Sequence, residues 1–246
     1  MFIVSLFKIW QGNDFLVESI ESNYWHVDAM VFVSSNMSWT GEEGNDTKEV
    51  VLKWKAENDF YDKIKVIEYD TRSQWEQYQI GINYIKAVFP QCDWMQIVDA
   101  DEVWNECAWN NSIDHLYNAR NYNSFRCNMR TFIKSPEFEI IEGAGCVKPF
   151  VFVKGGTNYE GCRFSSFGSK IIMQDVCIDH YSLVKKSFEE MKRKFLACSM
   201  SEYGKDNLVD MEKWKANVWD KIPDGECYHF YKGCERIWKG FKRTDG

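Results

Sequence analysis

The chain has 246 residues, of which 45% are hydrophobic and 27% are charged, and its formal net charge is −7. This length and this hydrophobic share suffice for one large buried core, and they exclude a disordered or fibrous chain. The negative charge argues against a protein that binds nucleic acid by neutralising phosphates. Aromatic residues make up 16% of the chain. These rings are either buried in the core, the more common case, or exposed on a surface that stacks on sugar-like faces.

No segment has the composition of a targeting peptide or the length of a membrane span. The first apolar run, residues 2–7, lacks a preceding basic region and is far shorter than the roughly 20 residues of a spanning helix. The 9 cysteines include no C-x-x-C pair, which is typical of reduced structural thiols. We therefore expect a cytoplasmic protein without a transmembrane segment.

The first hundred residues alternate between short apolar strands and helices. The strands are predicted at residues 2–7, 30–33, 63–69 and 94–98. The helices are predicted from a cap at Asn13–Asp14 to Trp25, from Asp46–Thr47 to Asn58, and from Ser73 to Phe89, the last with a core stripe of Trp75, Tyr78, Ile82, Ile85 and Phe89. This repetition predicts a parallel sheet covered on both faces, with ligands at the carboxyl ends of its strands.

After residue 102 the pattern changes to strands separated by turns that contain glycine, which is typical of antiparallel or mixed pairing. The strands are predicted at residues 124–133, 138–141, 149–153 and 170–178, and an amphipathic helix at 182–199. We expect an α/β fold in which helices flank a mixed central sheet, built as one domain over residues 1–246. Its nucleotide-binding half covers about residues 1–102, its acceptor half about 103–200, and a C-terminal extension 201–246.

The most informative segment is WMQIVDADE at residues 94–102, where a hydrophobic strand runs into Asp99, Asp101 and Glu102. In an extended backbone alternate side chains point the same way, so the two aspartates are expected to project into one site. Such carboxylates repel unless a cation lies between them, and oxygen ligands suit Mg²⁺ or Mn²⁺. Such an ion leaves positions open for the phosphates of a nucleotide diphosphate, with Glu102 orienting the motif. The alternative is a solvated acidic turn.

On these motifs the chain resembles the nucleotide-sugar-dependent glycosyltransferases of the GT-A fold, closest to the family 2-like enzymes. The matching segments span about residues 2–200 and read FIVSLFKI, QIGINYIKAVF, IVDADE and IIMQDVCIDHYSLVKKSFEEMKRKF. The resemblance implies a Rossmann-like domain and a metal-dependent hexosyl- or pentosyltransferase. Its partners would be a UDP- or GDP-linked sugar donor and a glycan or other hydroxyl acceptor. After the second strand the chain departs from the family, because VSSNMSWTGEEGND has no acid at the strand end, and the nucleotide stays open.

The resemblance also implies roles for single residues. Asp99 would lie near the donor ribose or the metal, Asp101 would be a metal ligand, and Ala100 would lie with them against the donor. His180, after the predicted strand at 170–178, would supply a further ligand to the Mn²⁺ or Mg²⁺ cofactor, as a downstream histidine does in related enzymes. The alternative for His180 is a hydrogen bond to a nearby carboxylate such as Asp179.

Further donor contacts are expected from Ser5, at the end of the first predicted strand, and from Gln79 on the helix before the motif. The helix predicted to begin at Ser182 would place an N-terminus, which favours anions, close to His180.

An inverting transfer needs a carboxylate that deprotonates the acceptor hydroxyl. The candidates are Asp179, Glu160 and Glu139, all in the half that is expected to bind the acceptor. Trp104 and Trp109, just beyond the motif, are either sugar-stacking rings or core residues.

Two other functions stay open. A haloacid-dehalogenase-like, Mg²⁺-dependent phosphatase also has a hydrophobic strand followed by D-x-D-x-T/V, which IVDADEV matches. Asp99 would then be the nucleophile and Asp101 the acid or base, with Asp175 and Asp179 as the last acidic motif. Against this, that motif normally opens its fold, whereas strand–helix units precede it here. The other alternative is an inactive carbohydrate-binding protein of the same fold.

Overall fold

The computed structural model describes residues 1–10, 14–38, 43–44, 47–70, 73–119, 121–140, 149–156, 170–194, 211–222, 227–231, 234–238 and 241–243. The chain divides into two compact units, the first made of Met1–Met129 with Lys148–Asp179 and the second of Arg130–Val147 with His180–Gly246. The single domain with halves at residues 1–102 and 103–200 stays a prediction. Among the described helices, none is long and apolar enough to cross a membrane.

The first unit begins with a parallel sheet whose strands alternate with helices. Its elements are β1 (Ile3–Ile9), α1 (Leu16–Tyr24), β2 (Ala29–Ser34), α2 (Thr47–Asn58), β3 (Ile64–Glu68), α3 (Gln74–Val88), β4 (Trp94–Asp99), β5 (Glu102–Val103), α4 (Glu106–Tyr117), β6 (Ser124–Ile133), β8 (Phe150–Lys154) and β9 (Lys170–Leu183). Both β6 and β9 continue into the second unit. β1 pairs in parallel with β2 and β4, and β2 with β3. β8 pairs antiparallel with β4 and with β6. The predicted α/β fold with a mixed central sheet is confirmed.

Both faces of this sheet are buried, because helices cover each of them. Along β1, Ile3 and Phe7 pack into one cluster with side chains of α1, α2 and α4, whereas Val4 and Leu6 pack into another with α3. Successive side chains of a strand point to opposite faces. α1 and α3 therefore lie on opposite sides of β1, and every residue of the strand has a defined side.

The second unit contains β7 (Ser135–Ile140), a helix α5 whose described part covers residues 188–194, α6 (Met211–Asn217), a 3-10 helix (Trp219–Lys221), β10 (Cys227–Tyr231), β11 (Cys234–Trp238) and β12 (Phe241–Arg243). β7 pairs antiparallel with the end of β6 and with β12, and β10 with β11. Its core gathers around Trp214, which is 1% exposed.

Two predicted helix starts are wrong. The N-cap of α1 is Phe15, which makes no side-chain capping hydrogen bond, so Asp14 is not the cap; Asn13 lies outside the described residues. β9 continues through Ser182, and helix α5 begins only at residue 188. There the Ser187 hydroxyl accepts a hydrogen bond from the Glu190 N–H at 3.2 Å, as a cap should. No helix N-terminus therefore follows His180 directly, and the predicted anion site there is wrong.

The predicted core stripe of α3 is correct only in part. Tyr78, Ile82 and Ile85 are buried, but Trp75 is 48% exposed. The buried face of this helix begins at Gln77. Trp75 precedes that contact, so the burial that its helical spacing predicts does not occur.

At Gly155, just after β8, the backbone passes very close to the segment that precedes β4. Its N–H donates to the carbonyl of Asp93 at 2.7 Å, and a Cβ at this position would overlap the carbonyl of Cys92. Gly156 has φ of +81°, and a Cβ at this position would meet no other atom within 4 Å.

We expect Gly155→Ala to lower the free energy of unfolding by about 3 kcal/mol, because backbone must move to admit the methyl group. Gly156→Ala is the matched control, with a loss of about 1 kcal/mol from its left-handed backbone alone. Urea denaturation of both variants measures the difference. Equal losses would contradict the close approach.

Candidate functional site

The strand order of the parallel sheet reverses between β1 and β4. These two strands are neighbours in the sheet, although β2 and β3 separate them in the chain. From β1 the chain continues through β2 to β3 on one side, and it then returns through α3 to β4 on the other side of β1. Open α/β sheets bind their ligands at such a switch point, outside the carboxyl ends of the strands.

Lys8 and Asp99 face each other at this switch point. They are register partners across β1 and β4, and the Lys8 Nζ lies 2.9 Å from the Asp99 Oδ1. The Tyr78 hydroxyl donates to the same oxygen at 3.4 Å. The two charged side chains are only 14% and 24% exposed, respectively. A largely enclosed ion pair therefore occupies the edge at which a ligand of this fold would bind.

The two aspartates of the motif lie on different kinds of backbone. β4 ends at Asp99, and Ala100 and Asp101 form a turn before β5. The expectation that both side chains project from one extended strand is therefore wrong, since the alternation stops at Asp99. Ala100 is 8% exposed, and Asp101 is partly exposed. The roles of Asp99, Ala100 and Asp101 toward a donor and a metal ion stay predictions.

Glu102 supports this turn from inside the protein. It is 1% exposed, and its Oε2 accepts a hydrogen bond from the Asp99 N–H at 3.1 Å. A buried carboxylate bound to a backbone N–H fixes the local chain direction. This contact supports the orienting role expected for Glu102, which stays a prediction.

Helix α1 contacts the backbone before the turn and after β5. The Ser19 hydroxyl donates to the carbonyl of Asp99 at 3.5 Å, and the Ser22 hydroxyl accepts from the Trp104 N–H at 3.1 Å. The indole of Trp109 donates to the Ser22 carbonyl at 2.9 Å. Trp104 and Trp109 are 2% and 0% exposed, so they are core residues, and stacking on a sugar is excluded for both.

Ser5 supports the sheet and does not reach its edge. It lies inside β1, is fully buried and donates to the Gln96 side chain. Gln96 donates in turn to the Asn23 Oδ1 at 2.8 Å, and Asn23 donates to the Ser19 carbonyl at 2.6 Å. The predicted donor contact of Ser5 is wrong because β1 continues to Ile9.

Two glutamines of α3 differ in their surroundings. Gln79, the predicted donor contact, is partly exposed, and its role stays a prediction. Gln77 is 1% exposed, and its Nε2 donates to the carbonyl of Val33 at 2.8 Å. Gln77 thereby ties the helix to the end of β2, next to the switch point.

An aspartate does lie beside the loop after β2, although it comes from another strand. The Asn36 N–H donates to the Asp70 Oδ1 at 3.3 Å, and Asp70 follows β3. The sequence has no acid at the end of β2, but the fold brings the carboxylate of Asp70 next to the loop that follows this strand. Only the parallel pairing of β2 and β3 reveals it.

The remaining predicted residues lie farther along the chain. Asp179 is partly exposed on β9 and is the last residue of the first unit. His180 on β9 and Glu139 on β7 belong to the second unit. Glu160 lies outside the described residues. The roles of these four residues stay predictions.

Asp175, which a phosphatase would require for its last acidic motif, is engaged by α4. Its Oδ1 lies 2.7 Å from the His115 Nε2. This contact lowers the pKa of the Asp175 carboxyl. The Asn111 side chain also donates to the Asp175 carbonyl at 2.8 Å. The side chain and the carbonyl of Asp175 are therefore both bound by residues of α4.

Whether the switch point suits Mn²⁺ or Mg²⁺ depends on the side chains that could coordinate the ion there. Within the described residues no group of three or more His, Cys, Asp or Glu side chains is arranged to hold a metal ion. Asp99 and Asp101 offer two carboxylates, and Lys8 already contacts one oxygen of Asp99. Mg²⁺ is commonly held by one or two carboxylates when substrate phosphates and water complete its coordination. The residues fit an ion that binds together with phosphates, and they form no complete cage.

Lys8 is not among the predicted site residues, and Tyr78 is predicted only as a core residue. The apolar run resumes after Lys8 with Ile9 and Trp10, which indicates that the strand continues past the lysine. A charge inside a buried strand needs a partner. That signal predicts an acidic partner for Lys8 without identifying Asp99.

Comparisons with known proteins establish no family. No family model matches the chain, and no curated protein matches it. Among solved structures, S. aureus TarS is 10% identical, with 91% of this chain and 74% of that chain covered and a TM-score of 0.49. A 4-diphosphocytidyl-2C-methyl-D-erythritol synthase is 11% identical, with 63% and 76% covered and a TM-score of 0.41. Mannose-1-phosphate geranyltransferase from Thermus thermophilus is 12% identical, with 64% and 51% covered and a TM-score of 0.39.

Glu102→Ala is expected to lower the free energy of unfolding by about 2 kcal/mol, because the Asp99 N–H loses its acceptor. Glu106, exposed in the first turn of α4, is the matched control, and Glu106→Ala should cost less than about 1 kcal/mol. Chemical denaturation measures both. A Glu102 variant as stable as the Glu106 variant would show that the turn does not depend on this carboxylate.

Proposed function

We propose that the protein is a glycosyltransferase that moves a sugar from a nucleotide-diphosphate sugar to an acceptor hydroxyl, in glycan or polysaccharide synthesis. The observation that carries the proposal is the Lys8–Asp99 pair at the β1–β4 switch point, with Asp101 in the adjoining turn. Open α/β sheets bind nucleotides at this edge. A cation and two carboxylates at one edge suit a diphosphate and the ion that accompanies it.

Lys8 supplies a fixed positive charge for the donor diphosphate. A lysine ammonium has three donors, so Lys8 can keep its contact with Asp99 and also donate to a phosphate oxygen. When the bond between the sugar and the diphosphate breaks, negative charge grows on the leaving phosphate. A preorganised cation at that position stabilises the transition state more than the ground state.

Asp101 and Asp99 would hold Mn²⁺ or Mg²⁺, whose chemistry in this reaction is to neutralise the leaving diphosphate. Glu102 binds the backbone of Asp99 at the end of β4, next to the turn that carries Asp101. For an inverting transfer, Asp179 is our candidate for the base that accepts the proton of the acceptor hydroxyl. It is partly exposed and belongs to the same unit as Asp99.

A thermal-shift screen against UDP- and GDP-sugars tests the donor. With Mn²⁺ or Mg²⁺ present, one nucleotide family should raise the Tm of the wild type, since a ligand at 100 times its Kd adds about 2.7 kcal/mol to the native state. EDTA should remove the shift. Asp101→Asn should lose both the shift and sugar transfer while its own Tm stays within a few degrees of the wild type.

Asp114→Asn is the control for the screen, because Asp114 is an exposed residue of α4, and this variant should respond like the wild type. A full shift in Asp101→Asn would remove the aspartate from the site. No shift with any nucleotide sugar, together with release of phosphate from phosphate esters, would replace the proposal by the phosphatase alternative.

Lys8→Met should weaken donor binding at least ten-fold, which corresponds to about 1.4 kcal/mol. It should also lower the Tm, because the enclosed Asp99 loses its partner. The double variant Lys8→Met/Asp99→Leu separates the two effects: it should regain stability, since no unpaired charge remains, while donor binding stays weak. Isothermal titration with the donor found in the screen measures the affinity.

The matched control for the lysine is Lys53→Met, because Lys53 is exposed on α2. Its donor affinity should equal that of the wild type. Donor binding that returns in the double variant together with stability would show that the pair serves only the fold.

A further inference from the structure

An aromatic recess opens to solvent at the edge of the sheet opposite to Asp99. It lies where α1 and α2 end, before β2 and β3 begin, within the first unit. Its volume is about 340 Å³, and it is lined by Glu21, Tyr24, Trp25, Trp54, Asn58 and Phe60. A strand of the length of β1 spans about 20 Å, so the recess is separate from the switch point.

Large rings at this recess are held in contact with water. Trp25 is 67% exposed, Phe60 81% and the adjacent Tyr61 67%. Single exposed rings are ordinary, but several neighbouring ones beside a cavity mark a binding site.

The loop that carries Phe60 and Tyr61 is tied down by Asp59. Its carboxylate accepts hydrogen bonds from the N–H groups of Lys63 at 2.8 Å and Ile64 at 2.9 Å, and from the Tyr24 hydroxyl at 2.8 Å. The exposed rings are therefore presented by an ordered loop. A ligand that binds them does not have to order the loop first.

Lys63 also holds residues of the aromatic recess in place. Its Nζ donates to the carbonyls of Tyr24 at 3.0 Å and Val27 at 2.7 Å. It also lies 5.0 Å from the centre of the Tyr24 ring and 5.9 Å from that of Tyr61. The Trp25 and Tyr61 rings meet edge to face with centroids 6.1 Å apart. The rings form one surface of defined geometry.

Two polar groups border the rings. The Glu21 Oε1 accepts from the Trp54 indole at 3.5 Å, and the Asn58 Nδ2 donates to the Trp54 carbonyl at 3.2 Å. These contacts place a carboxylate and an amide at the rim of the recess. Binding pockets combine apolar walls with a few such polar groups, which orient the ligand.

We propose that the aromatic recess binds a neutral carbohydrate through one or two pyranose rings. A pyranose has a face of C–H groups, which packs on an aromatic ring, and a rim of hydroxyls, which donate to a carboxylate and exchange hydrogen bonds with an amide. The Glu21 carboxylate disfavours an anionic ligand such as a nucleotide. The volume lies at the small end of the range of about 300–1,000 Å³ for ligand pockets. This inference does not rest on the proposed function.

Saturation-transfer NMR with maltotetraose, cellotetraose, chitotetraose and mannotetraose tests the recess on the full chain. At least one of these neutral oligosaccharides should bind saturably with a Kd on the order of 1 mM. Trp25→Ala and Phe60→Ala should each weaken binding by about ten-fold or more. Both side chains are largely exposed, so thermal unfolding should show that the variants keep the fold.

Trp75→Ala is the matched control, because Trp75 is a partly exposed tryptophan on α3, and its affinity should equal that of the wild type. If an oligosaccharide binds to the recess and no sugar transfer is detected, the proposed carbohydrate site is supported although the proposed glycosyltransferase activity is not. No saturable binding by the wild type would overturn the proposal. Binding that Trp25→Ala keeps and Asp101→Asn loses would also overturn it, by assigning the sugar to the switch point.

Discussion

The ion pair between Lys8 and Asp99 is the interaction on which the candidate site depends. Removing two charges from water costs several kcal/mol per ion, and hydrophobic residues of similar volume would often be as stable. The pair nevertheless occupies register partners of two core strands, at the point where the strand order reverses. The proposed diphosphate site would account for this position, because it requires a fixed cation and a fixed carboxylate at this edge of the sheet.

The surrounding structure holds this edge in one geometry. Glu102 accepts a hydrogen bond from the backbone of Asp99, Ser19 of α1 binds the Asp99 carbonyl, and Ser22 of α1 binds the Trp104 N–H just after β5. Charges that stabilise a transition state act best when no reorganisation is needed at the moment of reaction. At the opposite edge of the sheet, Asp59 and Lys63 likewise hold a surface of aromatic rings in one arrangement, and these rings face water.

The sequence predicts structural features that depend on a local pattern of residues. It does not predict contacts between residues that are far apart in the chain. The strand at 124–133 was predicted with the bounds of β6, and Ser73 was correctly taken as the start of α3, where its side chain caps the helix. Ser5 was misplaced because strand ends are poorly marked in sequence. Asp99 and Asp101 were assigned to one extended strand because nothing local reveals the turn that Glu102 stabilises. Asp70 reaches the loop after β2 only through strand pairing.

Hydrogen-exchange mass spectrometry of the full chain tests the central claim most directly, with Mn²⁺ and either UDP or GDP added. We expect slower exchange at the carboxyl ends of β1 and β4, in peptides that contain Lys8 and residues 99–104, with no change near Asp59 and Phe60. Unchanged exchange at both strand ends, at nucleotide concentrations that raise the Tm, would contradict a nucleotide site at the β1–β4 switch point.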